Sequence, residues 1–178
     1  FGATGGVMEA ALRTAYEIIT GREVPFKDLN ITAVRGMDGV RVASVPIDDC
    51  KEELSFLNGV ELKCAVAHGL VNARKLMNAV KSGELQVHFI EVMACPGGCI
   101  GGGGQPYPPE GYYVLDKEVN KKRAQSLYNI DEAKKVRKSH ENPFIQKLYE
   151  EFLDEPGSDK AHHLLHTTYT PREPKGIK

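Results

Sequence analysis

Apolar positions recur at two different intervals along the chain, and each change of interval marks an element. In GGVMEAALRTAYEIITGR, Val7, Met8, Ala11, Leu12, Ala15, Ile18 and Ile19 fall at helical spacing, and Gly21 supplies a stop. A turn-rich stretch then leads into VRGMDGVRVASVPI, where Val40, Val42, Ser44 and Pro46 alternate with Arg41, Ala43, Val45 and Ile47. This alternation predicts a hairpin around Asp38-Gly39 with both faces partly apolar. Next come the strand ELKCAVAHG, the amphipathic helix LVNARKLMNAVKSG closed by Gly83, and the strand QVHFIEVMAC. Strand, helix and strand in close succession form a βαβ unit, and a crossover helix implies a parallel pair.

From Pro106 the pattern changes. PYPPEGYY reads as a proline-rich connector, and IDEAKK, NPFIQKLYEEFLDEPG and SDKAHHLLHTTY read as three charged helical pieces. Asn142 caps the second with Pro143 in its first turn, and Ser158 caps the third. The tail PREPKGIK is expected to be disordered or to lie on the surface. Lys121, Lys122, Arg123, Lys134, Lys135, Arg137 and Lys138 read as solvated helix faces, with docking to an acidic ferredoxin as the weaker alternative. The expected class is α/β: residues 1–106 form a small, mostly parallel sheet flanked by helices, and residues 107–178 form a helical extension.

Composition narrows the function classes. With 178 residues, 41% of them apolar, the chain has the size of one domain and can bury a real core. A net charge of −1 with scattered basic residues gives no footprint for nucleic acid. No apolar run reaches the ~18 residues of a membrane span, and the amino end has no basic n-region followed by an apolar h-region. A soluble cytoplasmic protein is the expectation. The chain begins at Phe1, inside the glycine-rich run FGATGG, which reads as the middle of something processed or incompletely represented.

Four cysteines carry the candidate chemistry. Cys64, in the apolar LKCAVAHGL, reads as a small core residue, and Cys50, in the polar IDDCKEEL, as an incidental or exposed thiol. Cys95 and Cys99 differ, because they bracket Pro96-Gly97-Gly98 and follow the second strand of the βαβ unit. Ligand crevices of open α/β sheets lie beyond the carboxyl ends of the strands. Thiolates are soft anionic donors for iron or zinc, and the glycines let backbone approach a large inorganic group. On spacing alone a metal cluster, an unligated loop and thiol redox chemistry all stay open.

Other features have plainer readings. Gly2, Gly5 and Gly6 open a helix in a way that suits phosphate, but no preceding strand or downstream ribose-binding acid accompanies them. His162, His163 and His166 lack the glutamate of a zinc-protease motif and read as an ordinary helix face. His140 and Glu141 read as groups that pin a helix.

The segment FIEVMACPGGCIGGGGQP closely resembles the third active-site signature of the iron-only ([FeFe]) hydrogenases, MACPGGC-x-x-GGGQP. FGATGGVMEAALRTAYE is similar to the helix start that precedes it in that family, and RKSHENPFIQKLYEEFLDEP with AHHLLHTTYTPR is similar to the family's small subunit, here fused. The resemblance implies one lobe of the catalytic domain followed by a small-subunit-like segment. It implies an H-cluster, a [4Fe–4S] cubane joined through a cysteine to a two-iron unit carrying CO, cyanide and a dithiolate.

By the motif, Cys95 is a cubane ligand, Cys99 is the ligand shared with the two-iron unit, and Met93, Phe1 and Val7 line its pocket. The implied reaction is reversible heterolysis of H2 to protons and electrons. This chain would supply two of four cubane cysteines, since the family's TSCxPxW-like and MPCxxKxxE-like signatures do not occur in it. Implied partners are the N-terminal portion of the domain and ferredoxin or other electron-transfer subunits, nicotinamide-linked ones included. The helix start at Gly5 and Gly6 would face the anionic cluster. The alternative is a hydrogenase-like iron–sulfur assembly or sensory protein without the two-iron unit; the intact Pro-Gly-Gly and the small-subunit-like tail favour the enzyme.

Overall fold

The computed structural model describes residues 1–36, 38–113 and 115–171. Its first helix, α1 (Gly6–Thr20), lies where the periodicity puts it and stops at Gly21, whose φ of 71° is the left-handed cap that glycine adopts without penalty. Met8, Leu12 and Tyr16 repeat every fourth residue on its buried stripe.

Three strands form the sheet among the described residues, in the order β1 (Val40–Ile47), β2 (Val60–His68), β3 (Phe89–Met93). The predicted βαβ unit is present: β2 runs parallel to β3, and α2 (Leu70–Lys81) makes the crossover. Among the described residues the hairpin expected around Asp38-Gly39 is not formed. Thr32–Val34 is a 3-10 turn that buries Val34, so β1 starts only after Gly39 and takes β2 as its antiparallel partner, Val40 opposite Ala67 and Ile47 opposite Val60. The α/β class stands, and the sheet within it is mixed: an eight-residue antiparallel pair beside a five-residue parallel one.

Burial follows this order. Central β2 is covered on both faces from Cys64 to His68, whereas edge strand β1 buries only Ala43, Val45 and Ile47. On one face Val45, Cys64 and Val66 pack with Met8, Leu12 and Tyr16 of α1; on the other, Ala65 and Ala67 pack with Leu76 of α2. Cys64 is therefore the small core residue anticipated, and burial pushes its thiol pKa up. Cys50 is half-buried against the edge of the larger cluster.

The third helix, α3 (Lys117–Glu132), is capped by Asp116, whose side chain accepts from the Glu118 and Val119 amides. It starts well before IDEAKK and closes at Ala133, so Lys134 and Lys135 lie beyond it. It docks on α1 through buried charge. Glu9, 3% exposed, accepts from Arg13 Nη2 at 2.7 Å, from Arg35 Nε and Nη2 at 2.7 Å each, and from the Ile31 amide at 3.2 Å. Arg13 reaches on to both oxygens of Asp131 in α3 at 3.0 Å, and Arg35 stacks over the Tyr128 ring 4.1 Å from its centre. Burying these ions without partners would cost several kcal/mol each, which the closed network offsets.

Three of the basic residues read as solvated are not. Arg137 pairs with Asp131 at 2.7 Å, Lys138 is 7% exposed and meets Glu17 and Glu23 at 2.8 and 3.0 Å, and Arg123 donates to two backbone carbonyls. Lys138 and Arg123 have partners distant in sequence, and Arg137 also donates to Asn30 Oδ1 at 3.0 Å, contacts that spacing along a helix does not reveal.

The chain divides into compact units at Ser139, so α3 belongs with the sheet. In the second unit Asn142 caps α4 (Pro143–Leu148), accepting from the Phe144 amide at 3.0 Å, and the helix relaxes into a π turn over Tyr149–Leu153. Ser158 caps α5 (Asp159–Leu165), as the sequence predicts. His162, His163 and His166 are exposed, the rings of His162 and His166 lying 4.0 Å apart. The tail assigned from PREPKGIK lies, beyond Pro171, outside the described residues.

The α1–α3 network has a pH signature. Partial burial alone would raise the Asp131 carboxyl, but hydrogen bonds from Arg13 and Arg137 bring it from 3.8 down to about 2. A depressed carboxyl contributes stability that is fully present above its unfolded value and is lost as pH falls through its folded one. Melting temperature in the wild-type full-length protein is expected to fall more steeply from pH 4 to pH 2 than in Asp131→Asn. Parallel acid profiles would contradict this reading.

Candidate metal centre

β2 ends at His68 and β3 at Met93, residues paired in the parallel register, so their carboxyl ends open onto one crevice. The Gly69 amide donates to the Met93 carbonyl at 2.8 Å and closes its floor. Cys95 stands two residues beyond β3, half-buried; Cys99 stands four further on, exposed, at the start of a 3-10 turn, Cys99–Gly101. Both are free thiols, so the structure forms no disulfide between them.

Between them the chain turns tightly because two glycines allow it. Gly97 and Gly98 have φ of 81° and 91°, a region that side chains disfavour. A Cβ on Gly98 would stand 2.7 Å from the Gly2 carbonyl oxygen and 2.8 Å from both Met93 Sδ and the Thr4 nitrogen. That close approach lets the N-terminal segment bridge to the loop: Ala3 pairs with Gly98, the Thr4 amide donates to the Gly97 carbonyl at 2.9 Å, and the Ile100 amide to the Gly2 carbonyl at 3.2 Å. Gly102 lies beside the other thiol, the site of its absent Cβ being 3.6 Å from Cys95 Sγ. Two soft donors in a loop whose glycines keep side chains out of the way suit an iron–sulfur group.

Two residues that the sequence reading passes over set the loop's position. Glu91, the one charge in FIEVM, is 8% exposed, and its carboxylate accepts from the Gly5 amide at 2.7 Å and the Met8 amide at 2.6 Å. The expectation that this helix start faces an anionic cluster therefore needs correcting. Those amides and the positive end of the α1 dipole are taken by an anion of the chain's own, which also leaves them no phosphate to cradle.

His68 is the second. Its Nδ1 accepts from the Gly97 amide at 3.2 Å and sits 3.2 Å from the Thr4 hydroxyl. Burial holds its pKa below the ordinary histidine value, with Asp38 opposing and Lys117 reinforcing the shift. A buried charge in an apolar strand was a legible signal for Glu91; a histidine closing an apolar run was a weaker one.

Of the five residues assigned from the resemblance, the structure places Cys95 and Cys99 in the turn after β3 and Met93 at the end of that strand, its sulfur against Gly98. Phe1 and Val7 stay on the surface, 76% and 44% exposed, with the Phe1 backbone against Gly6. Among the described residues no helix is long and apolar enough to cross a membrane.

Comparison with known proteins adds to this geometry. Residues 1–103 match the family "Iron only hydrogenase large subunit, C-terminal domain", and residues 117–172 match "Iron hydrogenase small subunit". The NADP-reducing hydrogenase subunit HndD of Solidesulfovibrio fructosivorans is 53% identical over 97% of this chain and 26% of its own length. Iron hydrogenase 1 of Clostridium pasteurianum is 42% identical over 95% of this chain and 27% of its own. The chain thus spans about a quarter of the length of these relatives. An [FeFe]-hydrogenase structure from Chlamydomonas reinhardtii superposes with a TM-score of 0.73 at 43% identity, over 95% of this chain and 45% of that one. A rat cytosolic iron–sulfur assembly component is more distant, at 32% identity over 94% of this chain and 31% of its own.

Two substitutions test the loop's anchoring. Glu91→Ala orphans two helix amides and is expected to cost about 2–4 kcal/mol in urea unfolding of the full-length protein; an unchanged midpoint would mean that water replaces the carboxylate. Gly98→Ala forces a side chain into left-handed backbone and into Gly2, at an expected ~1–3 kcal/mol, with near-wild-type stability as the contrary result.

Proposed function

Because the chain belongs to the iron-only hydrogenase family, we propose that it carries part of the site at which H2 is reversibly split, with Cys95 and Cys99 as two of the four cysteines of an H-cluster cubane. The observation that carries the reading is the glycine-lined turn beyond β3, which presents two free thiols at the carboxyl end of a parallel strand pair. In this reading Cys99, the exposed thiol, would be the ligand shared with the two-iron unit, and Cys95, beside Gly102, would bind the cubane only. When bound, the two-iron unit supplies the open coordination site and the internal base that separate H2 into two protons and two electrons.

The chain's own residues position and shield. Met93, whose sulfur lies against Gly98, would line the pocket of the two-iron unit. Phe1 and Val7 form the apolar rim that the rest of the catalytic domain closes over, and that remainder contributes the other two cubane cysteines. Glu91 and His68 hold the backbone that carries the thiols. Electrons leave through subunits linked to a nicotinamide or to ferredoxin, the first favoured by the naming of one relative as NADP-reducing. Functionally, residues 1–106 are the cluster lobe and 107–178 the small-subunit segment. The compact units part at Ser139 because α3 packs on the lobe.

A second reading, an iron–sulfur assembly or sensory protein without the two-iron unit, draws on the relative at 32% identity. The intact Pro96-Gly97-Gly98 and the match to the small-subunit family weigh towards the enzyme. Full-length protein made anaerobically with hydrogenase maturation factors is expected to give CO and cyanide stretches in the infrared and to evolve H2, and Cys99→Ser to lose both. Iron–sulfur absorbance without those stretches would establish the second reading. A Cys99→Ser variant that kept them would overturn the ligand assignment.

A further inference from the structure

The four glycines Gly101 to Gly104 are the softest stretch next to the thiols. Among the described residues nothing lies within 4 Å of a Cβ built on Gly103 or Gly104, so these two face open space. A run of glycines loses more conformational entropy on ordering than any other sequence, so something must fix its ends if Gly102 is to stay beside Cys95 Sγ.

That role falls to one guanidinium. Arg123, on α3, donates through Nη1 to the Ile100 carbonyl at 2.8 Å and through Nη2 to the Pro106 carbonyl at 2.6 Å. Ile100 directly follows Cys99, and the two carbonyls bracket the tract from Gly101 to Gln105. Three residues before Arg123 on the same helix, buried Asn120 brings its amide nitrogen to 3.1 Å from the position of a Gly101 Cβ, a Cβ that would also collide with the Pro96 carbonyl. The fork of an arginine spans two acceptors at once, which the single ammonium of a lysine does not.

We propose that Arg123 is a positioning residue of the iron site: by clamping the Ile100 and Pro106 carbonyls it closes the glycine tract and holds the turn that carries Cys99. The proposal rests on the reading of Cys95 and Cys99 as cluster ligands. It gives the small-subunit segment, to which α3 belongs by family match, a direct part in setting that site.

The test compares wild type, Arg123→Ala, Arg123→Lys and, as an exposed neighbouring control, Lys122→Ala in the full-length protein. Without the cluster, hydrogen exchange at the Gly101 and Gly102 amides is expected to quicken about tenfold or more in Arg123→Ala and nearly as much in Arg123→Lys, with Lys122→Ala unchanged. In the matured protein, the infrared CO stretches are expected to decay severalfold faster under an iron chelator in both Arg123 variants. Arg123→Lys behaving as wild type in exchange would overturn the two-carbonyl clamp, as charge alone would then suffice. Faster exchange with unchanged decay would overturn the link from clamp to iron. Absence of CO stretches from the wild type itself would instead defeat the hydrogenase reading, while the exchange result would still decide the clamp.

Discussion

The carboxylate of Glu91 is the constraint on which the rest of the site depends. It lies on β3, two residues before Met93 and four before Cys95, and it takes two amides at the start of α1. A helix N-terminus left buried with open donors is costly, as is a buried carboxylate without them, and each removes the other's penalty. The contact joins the end of the parallel strand pair to the segment Phe1 to Gly5, which then bridges to Gly98. The start of α1, more than eighty residues away along the chain, is thereby held against β3 and the cysteine loop that follows it.

A second, larger group of charges does the same for α3. Glu9, Arg13, Arg35, Asp131 and Arg137 connect α1 to α3 through hydrogen bonds of 2.7 to 3.0 Å, and Lys138 reaches back to α1 through Glu17. Such a network is weak ground for net stability but strong ground for geometry, because removing one member strands the others. Its consequence is that α3, matched to the small-subunit family, is fixed against the lobe that carries the thiols. Sequence families divide the chain between residues 103 and 117, whereas physical packing divides it at Ser139.

What could be read from the sequence was what is local. The stripe of α1, the glycine at its end, the βαβ unit and the caps at Asn142 and Ser158 all depend on residues within a few positions of one another, and the structure has them. The Pro-Gly-Gly turn between Cys95 and Cys99 was legible for the same reason. The hairpin at Asp38-Gly39 failed because the stronger partner for β1 was a strand further along the chain, a choice made by the buried face of β2 rather than by the turn. Glu91 and His68 were passed over, and Arg123 was read as a solvated helix face, because their partners lie 83 to 86, 29 to 64 and 17 to 23 residues away. The lone glutamate in an apolar strand was the clearest hint of them, and the histidine that closes an apolar run a weaker one.

The account stands on two thiols holding iron, and iron can be seen directly. Crystals of the anaerobically matured full-length protein, measured on both sides of the iron absorption edge, would give an anomalous map of the crevice beyond β3. Iron peaks are expected beside Cys95 Sγ and Cys99 Sγ, with Cys99 alone lying between two separate iron groups. A map with no iron at either sulfur, or with a single iron group that leaves Cys99 unshared, would contradict it.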